Sequence, residues 1–179
     1  MSYYQSWVIR GYTFLELTLV LLLVGLMMTI AVPRFQYAIL TDDLKRTTRK
    51  MVGTIRNLRN EAVRKQEEHN LHFDLDANLF WCVSATMTEE EKVLARERAS
   101  LFPGGVHFID VWFRGKGKKM AGETVIRFNK RGYVPHSVIH LGCDDGRGFT
   151  MILRPFLSGV RVLEGYMDLE YEDIPPYEE

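Results

Sequence analysis

Tyr12 to Val32 reads YTFLELTLVLLLVGLMMTIAV, 21 residues carrying one charge, Glu16. At about 1.5 Å rise per residue, a helix of this length covers roughly 31 Å, the thickness of a bilayer's hydrocarbon core. A buried core helix is rarely apolar on all faces for so long, and the apolar part of a secretory signal runs only about 7–15 residues before a small-x-small cleavage site. Here Thr29-Ile30-Ala31-Val32-Pro33-Arg34 leads straight into further helical sequence. The run therefore predicts a single membrane-spanning helix over 12–33. Charge counting does not orient it, because Arg10 lies on one side while Arg34, Lys45, Arg46, Arg49 and Lys50 lie on the other. Glu16 needs an explanation. A carboxylate about one turn inside such a helix costs on the order of 2.5–3.5 kcal/mol, so it implies a function or a partner. The positive end of the helix macrodipole explains why it is tolerated, but not why it stands where Leu would insert more easily.

The string Arg10-Gly11-Tyr12-Thr13-Phe14-Leu15-Glu16-Leu17, followed by the apolar run and Pro33, resembles the class III leader of type IV pilins and type II secretion pseudopilins. The resemblance implies a leader, residues 1–11, removed by a prepilin peptidase that cuts after Gly11 on the cytoplasmic side and methylates Tyr12. Tyr12 stands where that family usually has Phe. It also implies a role for Glu16. Cleavage frees an amine at Tyr12, four residues earlier and so on the same helical face, and a neighbouring subunit's amine offers an equivalent cation. In the family this pairing sets axial register as subunits join a filament.

After Pro33 the pattern becomes amphipathic, with Phe35, Ile39, Leu44, Met51, Ile55, Leu58 and Ala62 mostly three or four apart, which predicts an amphipathic helix over 34–66 ending near Lys65. Its other face is basic, ordinarily only a solvated surface. Pro33 lacks a backbone donor and is expected to kink or loosen the helix, with Gly25 and Gly53 weakening it further.

Beyond residue 70 the period shifts toward two. Leu71, Phe73 and Leu75 alternate with polar residues, Asp76-Ala77-Asn78 offers a turn, and Leu79–Val83 follows, a hairpin pattern. Thr88 and Glu91 form a capping-box pair, predicting a short helix or an exposed excursion. Strands are expected at Val106–Phe113, Thr124–Phe128, Ser137–Leu141, Phe149–Leu153 and Val160–Leu163, separated by Gly- or Pro-containing turns. A long helix followed by strands predicts an α+β fold, an antiparallel sheet head over 67–174 packed on the amphipathic half of the helix. Residues 164–179 hold seven acids, no Lys or Arg, and Pro175-Pro176, so 175–179 is expected to be a flexible acidic tail. The stretches LFPGGVHFIDV, GETVIRFNKRGYV and FTMILRPFLSGVRV resemble strands of the H-type minor pseudopilins and the related FimT-like minor pilins, the GspH/FimT family.

Motifs for chemistry are weak. Acidic and basic residues balance at 23 each, so no overall field points to nucleic acid or an anionic surface. His136 and His140 have zincin-like spacing without the adjacent glutamate, and in a strand they would stand roughly 13 Å apart. No Gly-x-Ser-x-Gly elbow occurs. Gly115, Gly117 and Gly122 in RGKGKKMAG read as a basic hairpin loop and not as a dinucleotide fingerprint. Asp144-Asp145-Gly146 supplies too few oxygens for Ca²⁺. No metal, cofactor or catalytic set is expected. Cys82 and Cys143 could form one bridge in an oxidising compartment, contributing roughly 4 kcal/mol. A buried thiol in an apolar strand and a turn thiol is the reading slightly favoured.

The resemblance implies a non-enzymatic minor pseudopilin of type II secretion, added near the tip of a periplasmic pseudopilus. It would sit in the bacterial inner membrane as a single-pass protein, with its N-terminus cytoplasmic before cleavage and its head periplasmic. Its implied partners are other pseudopilins, major and minor, the prepilin peptidase, the inner-membrane assembly platform and the membrane itself. The alternative is a FimT-like minor type IV pilin for DNA uptake or pilus assembly. That family shows Gly-Arg-x-Arg near its C-terminus, whereas here Ser158-Gly159-Val160-Arg161-Val162 keeps one arginine ahead of an acidic end, which disfavours nucleic acid.

Overall fold

The computed structural model describes residues 13–156 and 159–168, with the side chains of 29–42 outside that description. The leader and Tyr12, and the last eleven residues with the predicted acidic tail, therefore lie outside the described residues. Helix α1 (Phe14–Lys65) runs through Pro33 without ending there, while the kink expected at Pro33 falls among the undescribed side chains. The chain divides into two units, one up to Ile39 and one from Leu40 onward. In the first, the helical side chains from Phe14 to Met28 are exposed. Among the described residues no helix is long and apolar enough to cross a membrane; the 21-residue run is described at its side chains only through Met28.

In the second unit, α1 buries Leu44, Met51, Ile55, Leu58 and Ala62, the i, i+3, i+4 stripe of an amphipathic helix, and turns Lys45, Arg46, Arg49, Lys50 and Arg56 outward. It stops at Lys65 because Gln66 adopts φ 54° and Glu67 N–H donates to the Ala62 carbonyl at 3.2 Å, a left-handed cap formed without glycine. Strands β1 (His69–Asp74) and β2 (Leu79–Ser84) then form the expected hairpin, with Asn78 at φ 53° and the Asp74 carboxylate accepting from Ala77 N–H at 2.9 Å. Helix α2 (Glu89–Glu97) starts at Thr88 with both halves of the capping box formed, so the short-helix reading holds.

Seven further strands follow: β3 (Ser100–Leu101), β4 (Val106–Phe113), β5 (Gly117–Lys119), β6 (Glu123–Phe128), β7 (Ser137–Cys143), β8 (Gly148–Leu153) and β9 (Val160–Glu164). They build two antiparallel sheets, in the orders β3-β2-β1-β6 and β5-β4-β7-β8-β9. The α+β expectation stands, with two sheets in place of one. The extra strands β3 and β5 are two and three residues long, too short to show an alternation in sequence. One core joins the buried stripe of α1 to Leu71, Phe73, Ile126 and Phe128 of the first sheet and Val111, Ile139, Leu141 and Met151 of the second. Its aromatic centre is Phe73, Phe80, Phe102 and Phe108, with ring centroids 4.6–5.9 Å apart.

Candidate functional site

Of the residues singled out at the N-terminus, Glu16 is described and Gly11 and Tyr12 are not. Thr13 caps α1: its Oγ1 accepts from Glu16 N–H at 3.2 Å, and its carbonyl accepts from Leu17 N–H at 3.1 Å. Thr13-x-x-Glu16 thus has the residue types of a capping box, a signal at this end of the helix that the apolar run conceals. The Glu16 side chain is exposed in the first turn, where the helix dipole favours an anion.

Cys82 on β2 and Cys143 at the end of β7 belong to different sheets and are both free. Burial first, then the charge of Glu61, pushes the Cys82 thiol up to about 11, but Cys82 is only half-buried, and Cys143, expected in a turn, is the buried thiol at the end of β7. The Asp144-Asp145-Gly146 stretch is a turn: Gly146 N–H donates to the Cys143 carbonyl at 2.9 Å, and Arg147 Nε donates to the Asp145 carboxylate at 2.7 Å. Hydrogen bonds from Arg147 hold that carboxyl below its ordinary range. Among the described residues no group of three or more His, Cys, Asp or Glu is placed to hold a metal. The exposed Arg161 lies on β9 opposite Ile152, at the edge of the second sheet.

His136 and His140 part company. His136 precedes β7 and packs edge-on against Trp112 at 5.6 Å. His140 joins a buried polar row that sequence reasoning did not find. In register across three strands stand Asp110 on β4, His140 on β7 and Thr150 on β8, so their side chains share one face. That face is opposite to Ile139 and Leu141, which belong to the core. His140 Nδ1 meets an Asp110 carboxylate oxygen at 2.7 Å, and Nε2 meets the Met167 carbonyl at 2.9 Å. Tyr166 donates its hydroxyl to the other Asp110 oxygen at 3.0 Å and lays its ring on the imidazole at 4.2 Å. Thr150 Oγ1 donates to the Gly165 carbonyl at 2.8 Å and accepts from Met167 N–H at 3.0 Å.

These bonds fasten residues 165–168 as a strap across the second sheet. A carbonyl only accepts, so Nε2 carries a hydrogen, and the carboxylate and the main-chain carbonyl together fix the ring's orientation. Both side chains are 2% exposed, out of reach of a substrate, and the row serves to position the strap. The signal was a histidine within the largely apolar run Ser137-Val138-Ile139-His140-Leu141-Gly142-Cys143, all of which is buried.

The strap ends at a basic cleft. Asp168 accepts from Lys118 Nζ at 2.6 Å, and that ammonium also lies 5.6 Å from the Tyr166 ring centroid. Hydrogen bonding to Asp168, then to Tyr166, raises the Lys118 pKa above its ordinary value. Lys118 lines a cavity of about 630 Å³ bounded by β5, the turn before it and β6. Those strands are the edge of the second sheet and the edge of the first. Phe113, Val125 and Pro135 make its apolar lining, and Arg114, Lys116, Lys119 and Arg127 add positive charge. The basic hairpin loop expected at RGKGKKMAG is thus observed, forming one side of the cleft.

The sequence matches no protein-family model and no curated protein. Two solved structures are similar, both of the minor pseudopilin EpsH from the type II secretion system of Vibrio cholerae. One is 11% identical, covers 71% of this chain and 97% of its own, and has a TM-score of 0.51. The other is 12% identical, covers 69% and 98%, and has a TM-score of 0.49. At 11% identity the first establishes architecture: a long N-terminal helix with antiparallel sheets, the pilin-like fold of a minor pseudopilin.

Proposed function

We propose that the chain is a structural subunit of the minor pseudopilin kind, assembling near the tip of a periplasmic filament of type II secretion. The observation that carries this reading is Glu16, a lone exposed carboxylate at the start of an apolar helix, in a chain whose fold is similar to that of EpsH. On this reading residues 1–11 are a leader cut after Gly11 by the prepilin peptidase, and Tyr12 becomes the methylated N-terminus. Residues 12–33 hold the protein in the inner membrane, 34–66 form its stalk and 67–174 its periplasmic head, followed by the acidic tail 175–179. The freed Tyr12 amine and Glu16 then pair between neighbouring pseudopilins, so that a carboxylate in an apolar bundle gains a cation. The assembly platform would supply the surface on which subunits are added. Export needs no catalytic group from such a subunit, and the buried Asp110–His140 pair is accounted for by the strap. DNA capture is disfavoured by the single Arg161 in the stretch where FimT-like pilins carry two arginines.

The test is co-expression with a prepilin peptidase and partner pseudopilins, followed by intact-mass measurement and cross-linking. The expected mass lacks residues 1–11 and carries one added methyl at Tyr12. Glu16→Leu protein should be processed but should fail to cross-link to its neighbours through the N-terminal helix. Leader-bearing protein from peptidase-positive cells, or normal co-assembly of Glu16→Leu, would overturn the reading.

A further inference from the structure

The cleft between β5 and β6 has a charge imbalance and a ready counterpart. Among the described residues its lining holds Arg114, Lys116, Lys118, Lys119 and Arg127 against one acid, Glu123, whose carboxylate is already paired with Arg96. Neither Lys116 nor Arg127 forms an ion pair among the described residues, and both are exposed. The strap delivers the chain to this place. Asp168, fixed on Lys118, is followed by Leu169-Glu170-Tyr171-Glu172-Asp173-Ile174-Pro175-Pro176-Tyr177-Glu178-Glu179. These eleven residues contain five acids and no Lys or Arg, so the other 168 carry 18 acids against 23 basic residues.

We propose that residues 169–179 fold back into the basic cleft of the same molecule, with their carboxylates on Lys116, Lys119 and Arg127 and their aromatic and Pro side chains against Phe113, Val125 and Pro135. Reach is ample, since eleven extended residues span up to about 36 Å. Pro175-Pro176 favours an extended backbone at little entropic cost. Anchoring of 165–168 by His140, Thr150, Asp110 and Lys118 makes docking intramolecular, at an effective concentration on the order of millimolar for so short a connection. The tail would then screen a positive groove between two open strand edges, a template for unwanted strand pairing. A second copy's tail is the competing occupant, but nothing fixes its starting point beside the cleft as Asp168 fixes this one.

The full-length protein in detergent, treated with a zero-length carbodiimide, should give intramolecular links from Lys116 or Lys119 to Glu170, Glu172, Asp173, Glu178 or Glu179, at a yield independent of protein concentration. A chain ending at Asp168 should bind a labelled synthetic peptide of residues 169–179 about tenfold more tightly than the full-length chain does. That binding should weaken with added salt and in the exposed-site variant Arg127→Gln. Links that form only between copies would assign the cleft to a neighbour's tail and overturn the proposal. Equal peptide affinity for the two chains, or none for either, would overturn it as well.

Discussion

At Gly132 the backbone turns with φ 73° against α1, and a Cβ built there would stand 2.9 Å from Val63 Cγ2 and 3.2 Å from Arg59 Cγ. Arg59 reaches over the same point. Its Nε donates to the Gly132 carbonyl at 2.8 Å, and a terminal nitrogen donates to the Arg154 carbonyl at 3.1 Å. Burial lowers the Arg59 pKa from its ordinary value, the mark of a guanidinium drawn out of water to satisfy main-chain acceptors. Gly132→Ala adds both a left-handed backbone penalty and a contact shorter than side chains tolerate. It is expected to cost about 2–3 kcal/mol, read as a lower midpoint in urea unfolding with an unchanged slope. An unchanged midpoint would mean that the loop and helix part easily at this contact.

The elements divide into those that show in sequence and those that do not. Strands β4, β6, β7, β8 and β9 are legible because five or more residues carry a sustained apolar pattern between turn residues, and α2 is legible from Thr88 and Glu91. The polar row on the second sheet is not legible, since Asp110, His140 and Tyr166 lie 30 and 56 positions apart and only strand register brings them together. Nor is the cleft, which depends on β5 and β6 each ending a different sheet. A buried ion pair is costly to break and cheap to replace as a whole. His140→Ala is therefore expected to lose about 3–5 kcal/mol by leaving the buried Asp110 carboxylate with only the Tyr166 hydroxyl, whereas Asp110→Val with His140→Leu should recover most of that loss. The same pair of variants separates packing from strap anchoring. Limited proteolysis after residue 164 should speed up in both, because each frees the Met167 carbonyl, and more in the double variant, which also frees the Tyr166 hydroxyl. A double variant no more stable than His140→Ala would place the loss in packing and not in the unpaired charge.

Across the whole molecule, two imidazoles resist protonation. Burial lowers the His72 pKa first; Arg127 and Arg96 lower it further, and Glu123 partly opposes them. At His136 burial again leads, followed by the charges of Arg114 and Arg154, and its Nε2 is buried without a hydrogen-bond partner among the described residues. A histidine whose folded pKa lies below its unfolded value of about 6.5 is neutral in both states at higher pH, so its environment then costs nothing. As pH falls past about 6.5 the unfolded chain takes up protons that the folded chain refuses, and stability declines until the lowered folded pKa is reached. Asp145, also lowered, acts in a separate window, because its contribution is lost only as pH drops below the ordinary carboxylate range of about 3.9. Thermal unfolding should therefore show a falling midpoint between about pH 7.5 and about pH 5.5, in the range where histidine titrates. The slope should be shallower in His72→Gln with His136→Gln, whatever those changes do to the midpoint at neutral pH. An equal slope in the double variant would assign the acid sensitivity to other groups and remove these two imidazoles from the account.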